Sequence, residues 1–125
     1  MILGATFHFE AAHRLPKYDG DCKNLHGHSY KMEVRIEGPV DPDTGMVMDL
    51  KELKSLVNKA VIEELDHSLL NNIISNPTAE NIVRSSLHRI RISFTTSVSH
   101  RINLISIKLW ETEGCFAEWR CDAGI

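Results

Sequence analysis

Two long stretches near the N-terminus alternate between apolar and polar residues, and in both of them the apolar parity includes histidine at one end. In residues 2 to 14, Leu3, Ala5, Phe7, Phe9 and Ala11 share one parity, Thr6, His8, Glu10 and Arg14 share the other, and His13 closes the apolar series. In the second stretch His26, His28, Tyr30, Met32, Val34 and Ile36 lie on one face, and Ser29, Lys31, Glu33, Arg35 and Glu37 on the other. A period of two is that of a β-strand with one buried face, because successive side chains point to opposite sides. Between them LPKYDGDCKN, residues 15 to 24, is rich in loop formers, so the strands are expected to pair antiparallel. Opposed residues share a face, so pairing His13 with His26 or His28 keeps both apolar series on one core.

The remaining punctuation is as regular. GPVDPDTG (38 to 45) is dense in turn residues, and Asp49 with Glu52 reads as a capping box opening a helix. Its apolar stripe, Leu50, Leu53, Leu56, Val57, Ala60, Val61 and Leu65, has helical spacing to about residue 65. Thr78 is placed to cap a second helix carrying Ile82, Val83, Leu87 and Ile90, while ISFTTSVSH (92 to 100) fits a helix tail, a loop or a short strand. From residue 101 the strand period returns with Ile105, Ile107 and Leu109, and Glu111 follows on their parity. After Gly114, Cys115, Ala117, Trp119 and Cys121 alternate with Phe116, Glu118 and Arg120, and the two cysteines read as small core residues. The order ββααββ predicts an α+β fold, a four-stranded antiparallel sheet with two helices on one face. At 125 residues a single domain spanning the whole chain is expected.

Several function classes are disfavoured. The formal charge is −3 and the basic residues are dispersed, which leaves no electrostatic footprint for nucleic acid. Apolar runs fall short of the ~20 residues of a membrane span, and MILGATFHFE lacks the features of a secretory signal. An odd cysteine count of 3 suits a reducing compartment, so a cytoplasmic location is expected.

The chemistry-bearing residues gather at one end of the first strand pair. Two residues along a strand are about 6.6 Å apart and cross-strand neighbours about 5 Å, spacings from which His13, His26 and His28 can converge on one ion. Three neutral imidazoles suit Zn²⁺ with a fourth position left open, although iron or another imidazole-tolerant ion fits too and an H-x-H pair also occurs for packing. Cys22, in the loop beside this centre, could act as a base or nucleophile, be a fourth ligand, or be incidental. Asp66 and His67 are adjacent, a relay or a polar pair ending a helix. Glu111 continues an inward series, so it either ends a strand at an exposed edge or recognises a paired N–H group, as a guanine-like or pterin ring presents.

With these residues assembled, the chain resembles the 6-pyruvoyl-tetrahydropterin synthase superfamily, and within it the 6-carboxy-5,6,7,8-tetrahydropterin synthases of queuosine biosynthesis. The resemblance rests on FEAAHRL (9 to 15), C-x3-HGHSY (22 to 30), VDPDTGMVMDL (40 to 50), ELK (52 to 54), LDHSLLN (65 to 71), NPTAEN (76 to 81) and WE (110 to 111). It implies the tunnelling fold, in which ββααββ subunits join as trimeric barrels and stack as hexamers with active sites between subunits. It further implies Zn²⁺ on His13, His26 and His28, Cys22 as catalytic proton acceptor with Asp66 and His67 of a neighbouring chain as relay, and Glu111 as both pterin anchor and a catalytic support of the same proton traffic. The implied reaction takes 7,8-dihydroneopterin triphosphate to 6-carboxy-5,6,7,8-tetrahydropterin, releasing triphosphate and acetaldehyde. A cysteine four residues ahead of His26 resembles the carboxy-forming enzymes; the pyruvoyl-forming ones place theirs slightly farther ahead, and folate-pathway relatives use glutamate. Formation of the pyruvoyl product, or a non-catalytic zinc- and pterin-binding module, are the alternatives.

Overall fold

A computed structural model of the protein describes residues 1–20 and 23–122. The two alternating stretches form β1 (Ile2–His13) and β2 (His26–Glu37), paired antiparallel in one unbroken register from Ile2↔Glu37 to His13↔His26. Every pair of that register sets odd against even, so Phe7 meets Met32, Phe9 meets Tyr30 and Ala11 meets His28 on a common face. Helix α1 (Leu50–Val57) opens on Asp49, whose carboxylate accepts from the Lys51 backbone N–H at 2.9 Å. It continues through a π-helical stretch (Asn58–Ile62) and a final α-helical turn (Glu63–Leu65). The two-residue β3 (Ser68–Leu69) and a 3₁₀ turn (Leu70–Asn72) lead to α2 (Ala79–Ser97), and the chain closes with β4 (Asn103–Thr112) and β5 (Cys115–Arg120).

The helices and the inward face of the sheet share one core, with Phe9, Met32, Val34, Ile107 and Leu109 clustered with Leu53, Val57, Ile82 and Ile90. The sheet order is β3-β1-β2-β4-β5. Strand β3, which hydropathy did not announce, pairs parallel to β1 through Ala11↔Ser68 and Ala12↔Leu69 and makes the sheet mixed and five-stranded rather than four-stranded. The cause is local. After α1 the Asp66 carboxylate accepts from the Glu10 N–H at 2.9 Å and the His67 N–H donates to the Glu10 carbonyl at 2.6 Å, which draws the chain onto the edge of β1.

Three other expectations need correction. The π stretch adds a residue to its turn, and Ile62 rather than Leu50 joins the core, Leu50 being 46% exposed. Between Arg35 and Ile36 the β2–β4 register shifts, so Leu104 takes the inward place opposite Ile36 that strict alternation gives to Ile105. Cys115 and Cys121 are exposed, because Cys115 begins edge strand β5 and Cys121 lies just past its end, while Ala117 and Trp119 between them pack on the core. The segment from residue 92 resolves mostly as helix tail, since α2 runs to Ser97. At its start Thr78 accepts from the Asn81 N–H at 3.1 Å. Thr78→Ala is expected to cost ~1 kcal/mol, read as a lower thermal midpoint, and Thr78→Ser to restore most of it.

Candidate metal centre and active site

The centre lies where β1 ends and β2 begins. The register stacks His13 across from His26, with His28 two residues along the same face, and the three rings meet edge to face with centroids 4.6, 5.1 and 4.8 Å apart. Glu111 joins them from β4, where a register shift between Trp110 and Thr112 leaves it outside the β4–β5 ladder. One ligand atom from each of His13, His26, His28 and Glu111 lies within 4.8 Å of all the others. His13 is fully buried and Glu111 is 25% exposed, so the group opens to solvent on the Glu111 side.

The hydrogen bonds behind the rings decide what they present to one another. His13 Nδ1 lies 2.8 Å from the Pro77 carbonyl oxygen and His26 Nδ1 lies 2.7 Å from that of Asn24. A carbonyl only accepts, so both rings carry hydrogen on Nδ1 and turn Nε2 inward as the metal-binding or protonatable atom. Those two Nε2 atoms are 3.1 Å apart, a distance at which bare lone pairs repel unless a cation or a proton lies between them. His28 Nε2 is buried and makes no hydrogen bond, although Glu111 Oε1 is 2.9 Å away, because the carboxylate lies off the line an N–H would need. Three imidazole nitrogens converging within 4.8 Å, one of them buried with no hydrogen-bond partner, fit a divalent cation that tolerates nitrogen ligands.

The titration behaviour follows from the same contacts. The His13 imidazole, 3.4 Å away, holds the Glu111 carboxyl below the usual carboxylate range; burial opposes this and His28 and His26 reinforce it. Burial is the largest single influence on His13 and works to lower its pKa, but Glu111 and the Pro77 carbonyl together outweigh it and the pKa is raised. For His28 burial prevails, aided by the neighbouring imidazoles and opposed by Glu111, and its pKa falls. Tyr30, stacked on Phe9 at 4.8 Å with its hydroxyl 3.4 Å from His13 Nδ1, is pushed by burial and by Glu111 well above the ordinary tyrosine range and remains a neutral hydroxyl.

Asp66 and His67 sit elsewhere, on the β1 edge of the sheet. Their side chains meet at 3.0 Å between Asp66 Oδ1 and His67 Nδ1, and His67 is 79% exposed. The Glu10 N–H is the main cause that lowers the Asp66 pKa; burial opposes it and His67 adds to it. His67 holds φ at 56°, a left-handed conformation uncommon for a residue with a Cβ, and such strain gathers at functional positions. Cys22 lies outside the described residues. The roles of Asn24 and Pro77 have no signature in the sequence pattern, because carbonyl partners of a histidine leave no mark in hydropathy, whereas the inward parity of Tyr30 is legible. Asn71 is another such residue. It exchanges two hydrogen bonds of 2.9 Å with the backbone of Arg14 and so ties down the chain just past His13.

A sequence model of 6-pyruvoyl tetrahydropterin synthase matches residues 2–122. The chain belongs to the 6-pyruvoyl tetrahydropterin synthase family. Among its relatives, the 6-carboxy-5,6,7,8-tetrahydropterin synthase of Haemophilus influenzae is 34% identical over 143 aligned positions, covering 94% of this chain and 97% of that one. The dihydroneopterin monophosphate aldolase of Pyrococcus furiosus is 40% identical over 113, covering 89% and 91%. The structure of the Caenorhabditis elegans 6-pyruvoyl tetrahydropterin synthase superposes with a TM-score of 0.81 at 27% identity, covering 98% of this chain and 96% of that one.

In this member of the 6-pyruvoyl tetrahydropterin synthase family two clefts meet at Glu111. One, of about 490 Å³, is lined by His28, Lys31, Trp110 and Glu111 among others. The other, of about 420 Å³, is lined by Glu80 at the start of α2, Glu111, Cys115 and Glu118. No described helix is long and apolar enough to cross a membrane.

Proposed function

We propose that the protein converts 7,8-dihydroneopterin triphosphate, with one water, to 6-carboxy-5,6,7,8-tetrahydropterin, triphosphate and acetaldehyde, as a cytoplasmic step toward queuosine and related 7-deazapurines. The observation that carries this reading is the pair of inward Nε2 atoms 3.1 Å apart with the orphaned His28 Nε2 beside them, next to the carboxylate of Glu111. His13, His26 and His28 would hold Zn²⁺, which when bound would supply Lewis-acid polarisation of the substrate's side-chain oxygens and acidify the adjacent C–H bond.

The chain's own residues do the rest. Both imidazole contacts of Glu111 fall on Oε1, which leaves Oε2 to accept from the ring N–H groups of a pterin and fix its orientation. Cys22 takes and returns the side-chain proton, and Asp66 with His67 relays it. Because those two stand exposed at a sheet edge, they are read as serving Cys22 of a neighbouring subunit in a homo-oligomer, a barrel-forming trimer doubled to a hexamer. The full chain acts as one domain in this reading.

The test is to incubate zinc-loaded protein with dihydroneopterin triphosphate and weigh the products. The 6-carboxy pterin together with acetaldehyde is the expected result. A 6-pyruvoyl pterin without carbon-chain cleavage would replace the reading with the pyruvoyl-forming activity, and bound but unconsumed pterin would reduce it to a binding module.

A further inference from the structure

Beside the metal centre, on the opposite face of the sheet, stands a cluster that the proposed chemistry does not use. His8, Lys31 and Trp110 lie directly across from one another on β1, β2 and β4, and Phe116 on β5 continues the row opposite Trp110. The Lys31 ammonium is 4.7 Å from the centroid of the Trp110 ring, and that of Lys108 is 4.6 Å from the same ring and 3.9 Å from Phe116. Aromatic faces hold both cations through the ring quadrupole, and two ammoniums gathered around one indole make a positive patch that favours an anion nearby.

The surrounding carboxylates do not do so. Glu33 and Glu118 stand across from Lys108, and Glu113 lies on the rim of the cleft. However, Glu118 is engaged by Arg120 at 2.9 Å, and neither Glu33 nor Glu113 forms an ion pair with Lys31 or Lys108. Among the described residues neither lysine enters an ion pair. Lys31 lines the same cleft as His28 and Glu111, so an anion held there is part of whatever ligand reaches the centre. The cleft on the other side of Glu111 is lined by Glu80 and by the Arg120-paired Glu118, and no described lysine or arginine lines it to draw the same anion.

We infer that Lys31 and Lys108, positioned by Trp110, bind an oligophosphate group and set the direction in which a phosphorylated ligand enters the centre. Under the function proposed above, that group is the triphosphate of the pterin substrate, and the pterin ring turns toward the acidic cleft. Ammoniums close enough to share one indole can address different phosphates of one chain, so a triphosphate engages both and a monophosphate one. Specificity for the degree of phosphorylation then resides in these two lysines.

The experiment titrates inorganic tripolyphosphate into zinc-loaded wild-type protein, K31Q, K108Q, the double variant and K31R by calorimetry, with thermal midpoints recorded to confirm folding. All five proteins keep the three histidines, so any contact of the probe with the metal is common to them. Each glutamine is expected to weaken tripolyphosphate about tenfold, the value of one charge-assisted contact, and the pair about a hundredfold, while K31R stays near wild type. In turnover, KM for dihydroneopterin triphosphate rises in parallel at nearly constant kcat, and KM for the monophosphate form rises less. Tripolyphosphate affinity equal in wild type and double variant overturns the inference, as does an equal rise of both KM values. A lysine-dependent tripolyphosphate site in a protein that leaves the pterin triphosphate unconsumed supports this subsite and removes the proposed reaction.

Discussion

Cys22→Ala is expected to lower turnover of dihydroneopterin triphosphate by ~10²- to 10⁴-fold, the usual contribution of a positioned acid or base, while zinc content and pterin affinity stay near wild type. The separation of the two readouts is the point. A cysteine serving as a fourth metal ligand would lose metal along with activity, and an incidental loop cysteine would lose neither. Rapid-mixing turnover with metal analysis on the same preparation distinguishes the three. Cys22→Ser, which keeps a hydrogen-bonding group but raises its pKa far above that of a thiol, should recover little of the rate. The dependence on partners follows too: His67→Ala should slow the same step, and mixing it with Cys22→Ala in one oligomer should restore activity at those sites where an intact Cys22 meets an intact His67 from the next chain.

His28→Ala carries the second large effect. His28 offers a buried Nε2 without a hydrogen-bond donor, so its removal takes away a ligand without opening a backbone contact. Zinc affinity should fall by more than the 10- to 100-fold that second-layer changes cost, and turnover with it, while the apo-protein keeps its thermal midpoint or gains slightly from losing an orphaned polar atom. The wild-type centre should also compete with protons in a direction fixed by His13. Its pKa in the folded protein is raised, so the protonated imidazole contributes stability to the apo-protein that is fully present below the unfolded value of 6.5 and lost as pH rises through the raised folded value. Metal requires the neutral ring, so zinc affinity should begin to fall on acidification from above the ordinary histidine range and continue downward, with proton release on binding visible by calorimetry in buffers of different ionisation enthalpy.

Much of this was legible in the sequence because alternation encodes a face. Once His13 and His26 fall on the buried parity of two strands joined by a loop, an antiparallel register follows, and the observed His13↔His26 pairing is one of the two, with His13↔His28, that the apolar series permit. The same reasoning brought Glu111 to the inward face of β4, although the shift beside it that frees it from the β4–β5 ladder depends on hairpin geometry that hydropathy does not carry. Where backbone chemistry rules, the pattern was silent. Strand β3 exists because Asp66 and His67 bond to Glu10, a contact between polar groups 56 residues apart in the case of Asp66, and no period announces it. Cys115 and Cys121 show the converse failure: parity assigned both to the core, but an edge strand buries only its middle.

Zinc K-edge X-ray absorption on metal-loaded protein reads out whether His13, His26 and His28, held from behind by carbonyls and packing, grip a single ion. The expected first shell contains three nitrogens at about 2.0 to 2.1 Å with imidazole outer-shell scattering and no sulfur. A sulfur scatterer near 2.3 Å, or fewer than three imidazoles, would contradict it.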